Sequence, residues 1–95
     1  MDYDAGRGET YAVYWMAPVR GLPPGSAVFF EYVLQNAPGV RALLIQYGFR
    51  TEGLRKAVFI IPEKDYRAGG SVKAWRVRVI RAGRLLAEQT SPNWK

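Results

Sequence analysis

The stretch SVKAWRVRVIRAGRLLAE, residues 71–88, decides the predicted fold. From residue 73 to residue 81 the side chains alternate between two faces, as in a strand buried on one side. The apolar face carries Trp75, Val77 and Val79. The next residues, 81–84, include a glycine that can adopt the positive φ of a tight hairpin, and residues 85–87 begin a second apolar run. We therefore predict an antiparallel hairpin whose apolar face needs a second layer to cover it.

Four segments before this hairpin also predict strands, because they alternate in polarity or are rich in β-formers. They cover residues 10–16, 26–36, 41–50 and 55–61. The first of them is apolar on both sides, so its pattern leaves open which side faces the core. Its two faces carry Tyr11, Val13 and Trp15, and Ala12, Tyr14 and Met16. The fourth segment is also apolar throughout from residue 57 to residue 61. This pattern indicates either a strand whose two faces are both covered or an edge strand that contacts another surface.

The connections carry turn and loop signals. Residues 17–25 hold three prolines and two glycines and predict a loop. At residues 36–39, Pro38 and Gly39 suit a type II turn. Residues 62–70 predict a loop with one short helical turn that has Pro62 at its first position. Residues 1–9 lack periodicity and predict a flexible N-terminal segment before a single domain over residues 10–95.

Six strands and no amphipathic helix of useful length predict an all-β, antiparallel sandwich or barrel. The sequence WRVRVI, a short glycine turn and LLAE resembles the last two strands of immunoglobulin-like and fibronectin type III domains. Trp75 stands where those families often carry a core aromatic residue. The resemblance covers residues 10–92 and implies an immunoglobulin-like β-sandwich of six or seven strands. The predicted core consists of Val28, Phe30, Tyr32, Leu34, Leu43, Ile45, Tyr47, Phe59, Trp75, Val77 and Val79.

Composition argues against an enzyme. The chain contains neither cysteine nor histidine, so Ser-His-Asp and Cys-His catalysis and the common zinc sites are unavailable. The carboxylates of the predicted domain do not pair in a motif that would shift a pKa, and Gly69-Gly70 lacks the spacing of a phosphate-binding loop. We expect neither catalytic residues nor a metal or cofactor.

The net charge of +6 raises the possibility of nucleic-acid binding. Arg76 and Arg78 share one strand face, and Arg84 lies near the hairpin turn, so these three could hold single-stranded nucleic acid. A stacking platform needs aromatic residues beside such arginines, but Trp75 is expected on the opposite face. Spaced singly, the arginines also fit a solvated strand surface. Nucleic acid is therefore the alternative partner and not the main one.

The main functional signal is surplus apolar surface, because one small core cannot use every apolar residue of the strands. Exposed apolar patches and open edge strands mark protein contacts, including contacts with a second copy of the chain. Trp94 near the end of the chain either covers the open end of the core or contacts another chain. We predict a non-catalytic protein-binding or scaffolding module that can homodimerise, with an interface drawn from Tyr14, Met16, Phe29, Val33 and Trp94.

The sequence shows no apolar run of membrane-spanning length, and residues 1–10 are acidic and polar. An extracytoplasmic or cell-envelope location is favoured if the chain is an excised mature domain, and a cytoplasmic location if it is not.

Overall fold

The computed structural model describes residues 9–94, which form six strands and one short helix. In chain order these are β1 (Thr10–Met16), β2 (Ser26–Leu34), β3 (Ala37–Tyr47), β4 (Leu54–Ile60), α1 (Glu63–Gly69), β5 (Val72–Arg81) and β6 (Arg84–Thr90). The strands build a two-stranded sheet, β1-β4, and a four-stranded sheet in the order β3-β2-β5-β6. The strand pairings β1–β4, β2–β3, β2–β5 and β5–β6 are all antiparallel. The protein is therefore mostly antiparallel β, as predicted.

The hairpin predicted from residues 71–88 is present. Arg81 and Arg84 face each other at its end, and the two residues between them, Ala82 and Gly83, both have positive φ, 52° and 77°. Positive φ at both central residues is the geometry whose twist matches a two-residue hairpin. A register shift between Val79 and Ile80 makes β6 bulge by one residue.

The core lies between the facing sides of the two sheets. Most predicted core residues are buried there: Val28, Phe30, Tyr32, Leu34, Tyr47, Phe59, Val77 and Val79. Leu43, Ile45 and Trp75 are half-buried and pack against this core. Phe30 connects the sheets, because its ring centroid lies 5.3 Å from that of Phe59 and 5.0 Å from that of Tyr11. The sequence left open which side of β1 faces the core. In the structure, Tyr11, Val13 and Trp15 point inward.

The predicted turn between the second and third strands is displaced. Gln35 and Asn36 form the turn, and residues 37–39 belong to β3. The backbone N–H groups of Gln35 and Asn36 donate to the carbonyls of Ser71 and Gly69, at 2.9 and 2.7 Å, which fixes the turn there. Pro38 is tolerated because β3 is an edge strand, where a missing N–H need not break a ladder. The second and third strands therefore end earlier than predicted, at Leu34 and Tyr47.

The segment after β4 forms more helix than predicted. Pro62 precedes the helix, and α1 runs for seven residues instead of one turn. Asp65 ties this helix to the four-stranded sheet, because it accepts a hydrogen bond from the hydroxyl of Tyr32 at 3.3 Å and pairs with Arg41 at 3.0 Å. Burial raises the pKa of the Tyr32 hydroxyl, and the negative charge of Asp65 adds to the increase. The helix thereby closes one end of the core.

The predicted flexible segment, residues 1–9, lies outside the described residues except at Glu9. The Glu9 carbonyl accepts a hydrogen bond from the Ile61 N–H at 2.9 Å. Its carboxylate accepts the Val72 N–H at 3.0 Å. The described chain therefore begins with a residue bonded to the segments on both sides of α1.

Candidate protein-interaction surfaces

The outward side of the two-stranded sheet is apolar and exposed. We call it the β1–β4 outer face; it comprises Thr10, Ala12, Tyr14, Met16, Leu54, Lys56, Val58 and Ile60. Met16 and Leu54 face each other across the strands and are each 66% exposed. Tyr14 and Ile60 are 57% and 58% exposed. Strand alternation explains the arrangement, since the inward residues of β1 and β4 already fill the core.

Lys56 is the charged residue of the β1–β4 outer face. It lies opposite Tyr14, and its ammonium nitrogen is 5.8 Å from the centroid of the tyrosine ring. A lysine over an aromatic ring keeps its charge in water while its methylene groups cover apolar surface. The β1–β4 outer face is thus an apolar patch with one central cation, a composition that fits a protein contact more closely than a solvated strand surface.

The five residues of the predicted interface do not form one patch. Tyr14 and Met16 lie on the β1–β4 outer face. Phe29 and Val33 are half-buried on the outward side of the four-stranded sheet, where Phe29 lies between Leu44 and Arg78. The two pairs therefore face opposite sides of the molecule. The sequence detects surplus apolar residues, but it does not show which sheet each strand joins.

Glu31 pairs with two arginines on the outward side of the four-stranded sheet. Its carboxylate accepts two hydrogen bonds from Arg76, at 2.8 and 3.1 Å, and lies 3.0 Å from a guanidinium nitrogen of Arg78. The hydrogen bonds from Arg76 lower the pKa of Glu31; partial burial opposes this effect, and the charge of Arg78 reinforces it. Two of the three arginines predicted for nucleic acid, Arg76 and Arg78, are therefore paired with one carboxylate of the same chain.

Trp94 lies beside this cluster. Its ring centroid is 5.0 Å from the guanidinium carbon of Arg76, which is a cation–π contact. Trp94 is half-buried and does not belong to the core cluster. Trp94 and Phe29 thus bring aromatic rings to the arginine side of the sheet, although Trp75 points into the core as predicted.

Arg84 lies on a different side of the four-stranded sheet from Arg76 and Arg78. It pairs with Arg81 at the end of the hairpin, and the alternation of β5 places Arg81 on the side opposite to Arg76 and Arg78. The three arginines of the nucleic-acid alternative therefore belong to two sides of the four-stranded sheet.

An open groove separates β1 from β6 and has a volume of about 310 Å³. One wall is residues 11–15 of β1, and the other is residues 87–89 of β6. The floor consists of Phe30, Trp75, Val77 and Val79. We call this feature the β1–β6 groove. It exists because the two-stranded sheet is narrower than the sheet it covers, so that even the inward residues Ala87 and Gln89 of β6 are exposed.

The sequence did not predict the groove, because the groove is formed by strands that are distant in the sequence and no local pattern reports such a gap. The apolar run of β4 did indicate surplus apolar surface, but none of the five predicted interface residues lies on β4. A strand that is apolar on both sides exposes one of them when only one face of its sheet is covered.

Carboxylates of the described chain form ion pairs with its arginines. Glu52 and Glu63 pair with Arg50 and Arg67, each at 2.9 Å, and Glu88 lies 4.0 Å from Arg76. Within residues 9–94, no group of three or more acidic side chains is arranged to hold a metal ion. No helix in that range has the length and apolar character to cross a membrane.

The geometry defines an antiparallel, two-sheet β protein with exposed apolar surface. A scan against protein-family models matched no family, and searches of curated proteins and of solved structures found no similar protein.

Proposed function

We propose that this chain is a non-catalytic protein-binding or scaffolding module whose main contact surface is the β1–β4 outer face. The observation that carries the proposal is the exposure of Tyr14, Met16, Leu54 and Ile60 on one sheet face, where Lys56 is the charged residue. Adjacent exposed apolar side chains gain free energy by leaving water, so a partner that covers them is bound through the hydrophobic effect.

The proposal includes an immunoglobulin-like sandwich, and the strand order supports it. In that family one sheet has the order A-B-E-D, and the other contains C, F and G with C′ beside C. If β1 to β6 correspond to B, C, C′, E, F and G, the expected sheets are B-E and C′-C-F-G. The observed orders β1-β4 and β3-β2-β5-β6 agree with this assignment.

A second copy of the chain is the partner we propose first. The β1–β4 outer face is uncharged except for Lys56, so two copies can meet across it with their lysines offset along the strands. Contact between identical faces is the usual way for a homodimer to form.

Light scattering over a range of protein concentrations tests the proposal. We expect a concentration-dependent mass increase that Met16→Ser and Tyr14→Ser abolish and Phe29→Ser and Val40→Ser leave intact. Val40 is a matched control, because it is 58% exposed on a strand of the other sheet. Exposed side chains contribute little to folding, so Met16→Ser should change the free energy of unfolding by less than about 0.5 kcal/mol.

Two results together would contradict the proposal. One is a protein that stays monomeric at every concentration. The other is a large loss of stability with Met16→Ser, which would mean that this side chain acts in the folded monomer and not in a contact.

Single-stranded nucleic acid remains the alternative ligand, and one observation favours it. Phe29 and Trp94 share a side of the sheet with Arg76 and Arg78, so bases could stack beside the cations. Glu31 weighs against it, since its charge offsets theirs. Titration with labelled single-stranded DNA at low and physiological salt separates the two functions. Micromolar binding at physiological salt that the double variant Arg76→Ala, Arg78→Ala abolishes would favour nucleic acid.

A further inference from the structure

The side chains that alternate toward the β1–β6 groove carry no charge, although the whole chain has a net charge of +6. They are aromatic or aliphatic, apart from the uncharged amide of Gln89. Glu88 also borders the groove, but it lies opposite Arg78, so alternation turns its side chain to the outward side of the sheet. An ion in the groove would lose water without meeting an opposite charge, so the lining favours a neutral ligand.

Aromatic rings form much of the surface of the groove. Phe30 and Trp75 lie on its floor, and Trp15 lies on the β1 wall. Tyr11 also borders the groove, but its hydroxyl donates to Glu9 at 3.3 Å, so the ligand chemistry is argued without it. The groove volume of about 310 Å³ is roughly twice the ~150 Å³ of an apolar cavity that holds one benzene ring. The groove therefore has room for a flat ligand of two fused rings, which can pack on the aromatic side chains.

One end of the groove offers hydrogen bonds. The indole N–H of Trp75 has no acceptor within the described chain and is not among the donors buried there. The side-chain amide of Gln89 is exposed and has no partner in residues 9–94. Gln89 lies opposite Val77, two residues along β5 from Trp75, so the two polar groups are diagonal neighbours. At the other end, Val79 and Ala87 face each other, and both are aliphatic.

We propose that the β1–β6 groove binds a neutral, flat, bicyclic aromatic lactam. The rings of the ligand cover Val77 and Val79, and its carbonyl oxygen accepts a hydrogen bond from the indole N–H of Trp75. Its N–H donates to the side-chain oxygen of Gln89, since an amide side chain can both donate and accept. A few placed polar groups in a mostly apolar cleft are the usual composition of a small-molecule site. The site is separate from the β1–β4 outer face and does not depend on it.

The probe is 2-quinolinone, a neutral bicyclic lactam, titrated into the isotope-labelled full chain and followed by NMR. The chain has three tryptophans, so it gives three indole N–H signals, which single Trp→Phe substitutions assign. We expect the signals of Trp15 and Trp75, which line the groove, to shift until the site is saturated. The signal of Trp94 should stay in place, because its ring lies against Arg76 on the outward side of the sheet.

Three ligands of the same two-ring size test the chemistry of the site. Naphthalene lacks hydrogen-bonding groups and should bind about fivefold more weakly than 2-quinolinone. The anion 2-naphthoate and the cation N-methylquinolinium should bind about tenfold more weakly or worse, since each must lose water without gaining an opposite charge.

Two variants with matched controls locate the site. Ala87→Phe places a ring in the groove and should weaken the binding of 2-quinolinone by about tenfold, because it occupies the space of the ligand. Leu86→Phe adds a ring on the same exposed strand and should not weaken it. Gln89→Leu should remove most of the preference for 2-quinolinone over naphthalene. Gln46→Leu, at an exposed position of β3 on the opposite edge of the sheet, should retain that preference.

The outcomes separate this proposal from the one for the β1–β4 outer face. Met16→Ser should leave the affinity for 2-quinolinone unchanged, whatever it does to self-association. The proposal is overturned if 2-quinolinone gives no saturable shift, or if the Trp94 signal shifts as strongly as that of Trp75. It is also overturned if naphthalene or either ion binds as tightly as 2-quinolinone, or if folded Ala87→Phe keeps full affinity.

Discussion

At the scale of single residues, Glu31 shows that the charge of a strand face cannot be taken from the sequence of that strand alone. The arginines at positions 76 and 78 predict a basic strand face, because no acidic residue near them in the sequence pairs with them. The structure places Glu31 on the neighbouring strand, directly opposite Arg76 and within reach of Arg78. One carboxylate therefore offsets two cations whose positions in the sequence are more than forty residues away.

Glu31 should make stability depend on pH in the acid range. Its pKa in the folded protein is lower than that of an ordinary glutamate, so the folded state favours the ionised carboxylate. The resulting stabilisation is present above the unfolded-state pKa and is lost as the pH falls through the folded-state pKa. We expect the urea midpoint of the unmodified protein to fall as the pH drops below the ordinary pKa of glutamate, and to fall less steeply in Glu31→Gln.

Glu63→Gln is the control for this measurement. Glu63 pairs with Arg67 on the exposed surface of α1, where an ion pair contributes little. This variant should retain the acid dependence attributed to Glu31. A slope identical in Glu31→Gln and the unmodified protein would show that the carboxylate cluster does not contribute to stability.

At the scale of elements, strand existence could be predicted from alternation, and all six strands occur where the pattern indicates them. The ends of the strands, and the sheet to which each strand belongs, could not be predicted in this way. Pro38 and Gly39 suggested a turn, but proline is acceptable on an edge strand, and whether β3 is an edge depends on the order of the sheet. Tyr14 and Phe29 were recognised as surplus apolar residues, whereas their placement on opposite sides follows from pairings between distant segments.

Helix α1 depends on a close contact that only glycine permits. A Cβ atom on Gly69 would lie 2.6 Å from Cδ1 of Leu34, a buried residue of β2. We expect Gly69→Ala to lower the free energy of unfolding by about 1–3 kcal/mol, as overpacking of a core does, although alanine favours helix. Gly48→Ala is the matched control, because a Cβ there meets nothing within 4 Å. Chemical denaturation measures both; a stabilised Gly69→Ala would mean that α1 can move away from β2.

At the scale of the whole molecule, the two sheets differ in how they are connected. In the four-stranded sheet, β2–β3 and β5–β6 are hairpins joined by two residues each. In the two-stranded sheet, even the nearest pair, Met16 and Leu54, is separated by the whole of β2 and β3. The narrow sheet, which leaves the groove open, is therefore also the one built entirely from long-range pairing.

This difference predicts an order of folding. Local hairpins close at a lower entropic cost than long loops, so we expect the hairpins β2–β3 and β5–β6 to form before the transition state and β1–β4 pairing to form after it. Val28→Ala, between β3 and β5, should mainly slow folding, whereas Val13→Ala on β1 should mainly speed unfolding. Stopped-flow kinetics in urea distinguishes the two effects. A slower folding rate for Val13→Ala would contradict this order.

The same connectivity gives β1 a particular position during protein synthesis. Chains are made from the N-terminus at about 5–20 residues per second, so β1 leaves the ribosome well before its partner β4 exists. Through that interval, seven uncharged residues of high β-propensity have no strand to pair with. The nascent chain therefore exposes an uncharged, strand-forming segment for several seconds before the strand it pairs with is available.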